Sequence, residues 1–230
     1  TGAFDAALKG IENARRCGIE VQINSTITKM NARYLDDLLA LALELGAVAF
    51  HPFMLVPTGR GKDTQGLPPE EYERVLNWIY DKQVKLGERI FFKPTDAPHY
   101  MRVMLQRNKN SQAQGTGSQG GMNSLTRGCL AGIGFCFISH VGRVQGCGYL
   151  DVEAGNIKEQ SFSDIWQNSL LFQELRDYSK LKGKCGICEY KTVCGGCRAR
   201  AYEATGDYLA EEPCCNYQPR EQVVPRPVNC

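Results

Sequence analysis

The chain has 230 residues, 43% of them hydrophobic and 23% charged, enough apolar material for one large domain or two modest ones. Its 27 basic and 25 acidic residues leave a net charge of +2, which excludes an overall field that would draw nucleic acid or an anionic membrane surface. No apolar run approaches the roughly 18 residues of a membrane span, and the opening Thr1-Gly2-Ala3-Phe4-Asp5 has neither a basic nor an apolar leader region, so the chain is expected to be soluble and cytoplasmic.

The first hundred residues alternate helical and strand-like patterns. Phe4, Ala7, Leu8, Ile11 and Ala14 recur at helical spacing up to a stop at Gly18, and Ile19, Val21 and Ile23 then alternate with polar residues as in a strand. Asn31 is placed to cap a second helix carrying Leu35, Leu38, Leu39, Ala42 and Leu45; Gly46 ends it and the apolar strand Ala47-Val48-Ala49-Phe50 follows. Pro68-Pro69-Glu70-Glu71 starts a third helix with Tyr72, Val75, Leu76 and Ile79 on its apolar face, and Arg89 to Thr95 reads as a third strand. Strands alternating with helices predict an α/β fold with a parallel sheet, yet three strands cannot close a barrel. From Arg107 the run RNKNSQAQGTGSQGGMNS offers almost nothing to bury. It predicts a flexible linker over 107–126, separating a first domain (1–106) from a second (127–220) with a tail at 221–230. The second domain has one recognisable helical stretch, Ser163 to Asp177, with Ile165, Trp166, Leu170, Leu171 and Leu175 as its apolar face.

The eleven cysteines are the outlier of the composition, and ten of them fall between Cys129 and Cys230. A secreted disulfide scaffold would be short, exported and even in count. In a reducing compartment, dense cysteine in close pairs points to metal ligation, because thiolates are soft ligands for zinc, iron and iron-sulfur clusters. Cys185-Gly-Ile-Cys188 and Cys194-Gly-Gly-Cys197 are two C-x2-C pairs five residues apart. Zinc ribbons put about 15 to 20 residues between their pairs, so the short gap favours compact cluster binding, with a four-cysteine zinc module as the competing reading. Cys129, Cys136 and Cys147 stand upstream, the last two bracketing a hairpin predicted from Phe137 to Gln145, and Cys214 and Cys215 stand downstream. Nine thiols suffice for two four-ligand clusters.

These spacings, Cys129-x12-Gly142-x4-Cys147, then C-x2-C-x5-C from Cys185 to Cys194, then Cys197 and a cysteine after Glu212-Pro213, resemble the SPASM extension of radical S-adenosylmethionine (SAM) enzymes. The last pair is spaced x2 where that family has x3. The wording of HPFMLVPTGRG (51–61), KPTDAPHY (93–100), GCLAGIGFCFISHVGRVQGCGYL (128–150) and CGGCRARAYEATGDYLAEEPCC (194–215) is similar to the radical SAM enzymes of siroheme-dependent heme and heme d1 synthesis. The resemblance implies the C-terminal part of a partial (β/α) radical SAM barrel followed by a small cysteine-rich SPASM domain. It implies SAM and one or two auxiliary [4Fe-4S] clusters, one on Cys129, Cys136, Cys147 and Cys197, the other on Cys185, Cys188, Cys194 and Cys215 or Cys214. The C-x3-C-x2-C loop of the catalytic cluster occurs nowhere in the chain, which therefore reads as a fragment unable to generate a radical alone.

For the complete enzyme, the resemblance implies hydrogen abstraction from a tetrapyrrole side chain by a 5'-deoxyadenosyl radical. Carbon is then lost by deacetylation of didecarboxysiroheme or by decarboxylation of iron-coproporphyrin III, with ferredoxin or flavodoxin as electron donor. Asn24 and Thr26 on the first strand, the backbone of Val56 and Pro57, and Arg60 between two glycines are the expected SAM contacts. His99, after Pro98 in a polar loop, is expected to face the ligand as a catalytic or tetrapyrrole-binding group, with Asp96 beside it. His51 reads as structural, His140 as a turn residue and Cys17 as a core thiol, while Cys230 has no role assigned. Three rival functions are a zinc-bound interaction module, a ferredoxin-like electron carrier, and a SPASM enzyme that modifies peptides.

Overall fold

The computed structural model describes residues 2–63, 65–113 and 127–220, in two compact units, Thr1–Thr126 and Arg127–Cys230.

The first unit is built from β1 (Gln22–Ile27), β2 (Ala49–Met54) and β3 (Phe91–Phe92), joined by α2 (Leu35–Glu44) and α3 (Pro69–Leu86), with α1 (Ala3–Arg16) before and α4 (Tyr100–Ala113) after. The strands lie in the order β1-β2-β3 and both pairings are parallel. Helical crossovers give this arrangement because parallel neighbours cannot be joined by tight turns. One sheet face carries Ile27, Phe50, Met54 and Phe92, all buried, with Leu76 and Ile79 of α3 equally buried. Phe50 and Phe92 meet edge to face at 6.2 Å. The register pairs Asn24 with His51 and Thr26 with Phe53, so these four side chains share the opposite, more open face.

Several local expectations shift. The first strand begins at Gln22, and Ile19 is exposed because the chain is still leaving α1 there. Asn31 does not cap α2. Its Oδ1 accepts from the Thr28 N–H at 2.9 Å, its Nδ2 donates to the Thr26 carbonyl, and a 3-10 turn over Ala32–Tyr34 precedes the helix. Cys17 is exposed rather than a core thiol, because it follows α1, a helix with no buried residue. The helix α4 continues through Ala113, so residues 107–113 are helical where a linker is expected; residues 114–126 lie outside the described residues. Contacts with α3 explain the extension. Tyr80 OH donates to Asn108 Oδ1 at 2.7 Å, and Arg107 pairs with Asp81 while its guanidinium lies over the Tyr80 ring.

The second unit opens with the antiparallel meander β4 (Phe137–Ile138), β5 (Arg143–Gln145) and β6 (Glu153–Asn156). Phe137 pairs with Gln145 and Ile138 with Val144, closing the hairpin that the cysteine spacing predicts; exposed His140 lies in its turn. The stretch predicted as one helix is two, α5 (Phe162–Asn168) and α6 (Leu170–Arg176), broken at Ser169, whose backbone is extended. The break turns Leu170 outward and leaves Ile165, Leu171, Phe172 and Leu175 as the buried set. Two further short helices, α7 (Gly183–Ile187) and α8 (Arg198–Thr205), carry or flank the C-x2-C pairs. Among the described residues of both units, no helix is long and apolar enough to cross a membrane.

Candidate functional site

In the second unit backbone hydrogen bonds gather the thiols from distant points of the chain. The Gly128 N–H donates to the Val193 carbonyl at 2.8 Å and the Cys129 N–H to the Cys194 carbonyl at 3.0 Å, laying Cys129 beside the second C-x2-C pair 65 residues later. Cys136 and Cys147 stand at one end of the hairpin, since Phe137 and Gln145 between them are paired. Between Cys194 and Cys197, Gly195 and Gly196 take φ of 71° and 63°, the left-handed region that residues with a Cβ rarely adopt. A Cβ at Gly196 would stand 3.3 Å from Cys185 Sγ, so the loop approaches the first pair closely only because it has no side chain there.

Donors point at the sulfurs. The Tyr190 N–H donates to Cys188 Sγ, the Gly196 N–H to Cys194 Sγ and the Glu212 N–H to Cys185 Sγ, each at 3.4 Å. Such donors stabilise thiolate over thiol. Against them, burial pushes Cys194 far above the ordinary thiol range, with Gly196 N–H opposing and the neighbouring Cys215, Cys185 and Glu212 adding to the rise. Burial does the same to Cys197, opposed by Arg200 and reinforced by Glu212 and Cys129. Cys214 is pushed up to about 11, chiefly by burial, and Cys136 is raised by burial as well. Thiols held protonated in this way must lose their protons to bind iron, and a cation supplies that driving force because a coordinating thiol is deprotonated outright.

Backbone contacts thus bring Cys129 to Cys194, and the Gly196 loop to Cys185. Among the described residues, no three His, Cys, Asp or Glu side chains converge on one point as the ligands of a single ion would. The soft donor set and its N–H donors fit polynuclear iron-sulfur groups.

In the first unit Asn24 and Thr26 are exposed on the open sheet face, and Asn24 Oδ1 accepts from Gln22 Nε2 at 2.6 Å. Val56 is buried and its carbonyl is occupied by the Thr58 N–H at 2.8 Å; Pro57 is half-buried beside it. Arg60 lies in a 3-10 turn, Gly59–Asp63, and its side chain is outside the described residues. His99 lies in the turn before α4, 1% exposed, with its ring stacked on Tyr72 of α3 at 4.4 Å. The neighbouring Asp96 holds the Tyr72 hydroxyl through its carbonyl and has a φ of 56°.

His51 stands beside Asn24 on the open face, its ring edge-on to Phe91 at 6.1 Å, and its Nε2 is buried with no hydrogen-bond partner among the described residues. Burial, then the charge of Lys93, lowers its pKa and keeps it neutral. Its alternation with Phe50 and Pro52 along β2 was the available signal, but only the register puts it next to Asn24.

A family model described as an iron-sulfur cluster-binding domain, SPASM, matches residues 129–198. Residues 129–198 are a SPASM domain. The AdoMet-dependent heme synthase of Methanosarcina barkeri is 53% identical over 95% of this chain and 62% of its own length. That of Oleidesulfovibrio alaskensis is 48% identical over 96% of this chain and 57% of its own. The chain therefore spans roughly three fifths of the relatives it matches. Among solved structures, Streptococcus suis SuiB bound to its precursor peptide SuiA superposes with a TM-score of 0.64 at 18% identity, over 93% of this chain and 48% of that one. The fold is that of radical SAM/SPASM enzymes, part of an α/β barrel in the first unit and the SPASM domain in the second.

At the centre of the second unit lies a charge network that sequence reasoning missed. Glu212 is completely buried and receives Arg200 Nη1 at 3.1 Å, the Cys197 N–H at 2.7 Å and the Cys214 N–H at 3.1 Å. One carboxylate thereby ties the Cys197 loop to the loop of Cys214 and Cys215. The signal was present as two arginines, Arg198 and Arg200, close after the last C-x2-C pair, and an acid, Glu212, one proline before Cys214 and Cys215.

Proposed function

We propose that this chain is part of a radical SAM enzyme that removes carboxylate carbon from iron-coproporphyrin III in heme synthesis. The likeness to two AdoMet-dependent heme synthases along nearly the whole chain carries this reading over deacetylation of didecarboxysiroheme. In the SPASM domain, Cys129, Cys136, Cys147 and Cys197 hold one auxiliary [4Fe-4S] cluster and Cys185, Cys188, Cys194 and Cys215 the other. Cys215 is chosen over Cys214 because the motif it resembles leaves one residue between the proline and the cysteine, here Pro213-Cys214-Cys215. When bound, the clusters supply one-electron transfer and SAM supplies the means of hydrogen abstraction.

The chain's own groups then have defined tasks. The N–H groups of Tyr190, Gly196 and Glu212 stabilise negative sulfur without adding mobile charge. Asn24 and Thr26 hold SAM on the open sheet face, the backbone of Val56 and Pro57 borders its adenine, and Arg60 holds a carboxylate. Neutral His51 lies beside them. A low-potential donor such as ferredoxin or flavodoxin supplies electrons in a reducing, cytoplasmic setting.

A peptide substrate is the second reading, favoured by a fold shared with SuiB, which was captured with a precursor peptide. Anaerobic reconstitution of the complete protein tests the site and is expected to yield about twelve iron and twelve sulfide per chain, about eight of each in the two auxiliary clusters and the rest in the catalytic one. Colourless protein holding zinc would overturn it. Incubation with SAM, reductant and iron-coproporphyrin III or didecarboxysiroheme then decides the substrate; conversion of the first with release of CO2 is expected.

A further inference from the structure

One thiol of the SPASM domain receives a cation directly. Arg198, the first residue of α8, is 4% exposed and its guanidinium is clamped by backbone. Nη1 donates to the carbonyls of Tyr208 at 2.9 Å and Ala210 at 2.7 Å, and Nε to the carbonyl of Gly196 at 3.3 Å. The fork is rigid, so fixing three of its contacts aims the fourth, and Nη2 points at Cys185 Sγ at 3.8 Å. The same Gly196 position that a Cβ would crowd against Cys185 Sγ is where it would also meet Arg198 Nη2, so the glycine keeps the path from guanidinium to sulfur open. Arg200, two residues on, is paired with Glu212. Among the described residues no carboxylate forms such an ion pair with Arg198; its charge acts on the sulfur and, at longer range, on Asp207.

We propose that Arg198 is a tuning residue: by donating to Cys185 Sγ it raises the reduction potential of the cluster on Cys185, Cys188, Cys194 and Cys215, making it the preferred electron acceptor of the two. This rests on the assignment of Cys185 as a cluster thiolate. The step concerned is transfer of one electron from an external donor to that cluster, with no bond made or broken and no proton required. Reduction adds a negative charge next to a fixed positive one in a buried site, and hydrogen bonds to sulfur move potentials in the same direction.

Potentiometric titration of the reconstituted full-length protein with dithionite, followed by electron paramagnetic resonance, tests this on Arg198→Met and Arg198→Lys. In Arg198→Met the midpoint of one cluster is expected to fall so that its reduced-to-oxidised ratio at a fixed poise drops about tenfold, the scale of one charge-assisted hydrogen bond, or about 59 mV for one electron. The other auxiliary cluster and the catalytic cluster keep their midpoints, and Arg198→Lys, which retains the charge, shifts the first by less. Wild-type protein that takes up no iron and sulfide would sink the ligand assignment itself. Full iron and sulfide in Arg198→Met with no midpoint moved would leave that assignment standing and overturn the tuning role. Should Arg198→Met lose iron, Arg198→Lys decides: a partial negative shift confined to one cluster supports the role, and an unmoved midpoint overturns it.

Discussion

The two units solve the problem of stability by different means. In the first, helices of 10 to 18 residues lie over parallel strands, and Ile27, Phe50, Leu76, Ile79 and Phe92 form an apolar layer with essentially no exposure. In the second, strands are 2 to 4 residues long and helices 5 to 8, too short to be stable on their own. Its interior mixes a modest apolar cluster around Phe172 and Leu175 with Arg198, Arg200 and Glu212, all buried, and with thiols that burial keeps from ionising. The difference teaches that the first unit folds around its side chains, whereas the second is shaped to be completed by what its thiols hold.

Removal of iron gives the sharpest test of that contrast. Chelation of the reconstituted protein is expected to abolish slow hydrogen exchange in α8 and the hairpin while β2 and α3 keep theirs; equal protection in both units after stripping would break the comparison. Next in size is Glu212→Ala, which strands Arg200 and two backbone N–H groups in the interior. It should cost about 3–5 kcal/mol, the penalty for leaving a buried charge unpaired, read as an earlier urea transition confined to the second unit. Leu76→Ala is the counterpart in the first unit. It should lose about 2–5 kcal/mol by thermal melting, as core truncations do, with iron content unchanged.

The smallest expected effect is at the surface of the first unit. Lys82 Nζ lies 2.6 Å from Asp36 Oδ1, and that contact, opposed by slight burial and aided by Trp78, lowers the Asp36 carboxyl below its ordinary 3.8. A carboxyl depressed in the folded state stabilises at pH above its unfolded value and stops doing so as pH falls through the folded one. Asp36→Asn is therefore expected to destabilise by well under 1 kcal/mol at pH 7, the scale of exposed pairs. In melts recorded at successively lower pH the difference between the two proteins should shrink below the ordinary carboxyl range and vanish once the folded carboxyl is protonated.

Much of this was legible along the chain. The helical periods of α2 and α3, the hairpin between Cys136 and Cys147, and the soft-ligand character of the cysteine-rich half all follow from local spacing, which short-range geometry enforces wherever the rest of the chain lies. Less local features were not legible for definite reasons. That Tyr72 stacks on the His99 ring depends on how α3 packs. That His51 stands beside Asn24 depends on the register of β1 and β2.

By itself, the order of residues determined that the thiols are numerous, paired and suited to iron, and that the first hundred residues alternate strand and helix. Only the tertiary structure decided that Cys129 lies along Cys194 through its backbone, that Glu212 ties the Cys197 and Cys214 loops, and that Arg198 reaches Cys185. The reason is physical: spacing limits what can meet within a turn, but contacts across 13 to 65 residues depend on which buried polar groups find partners once the core has closed.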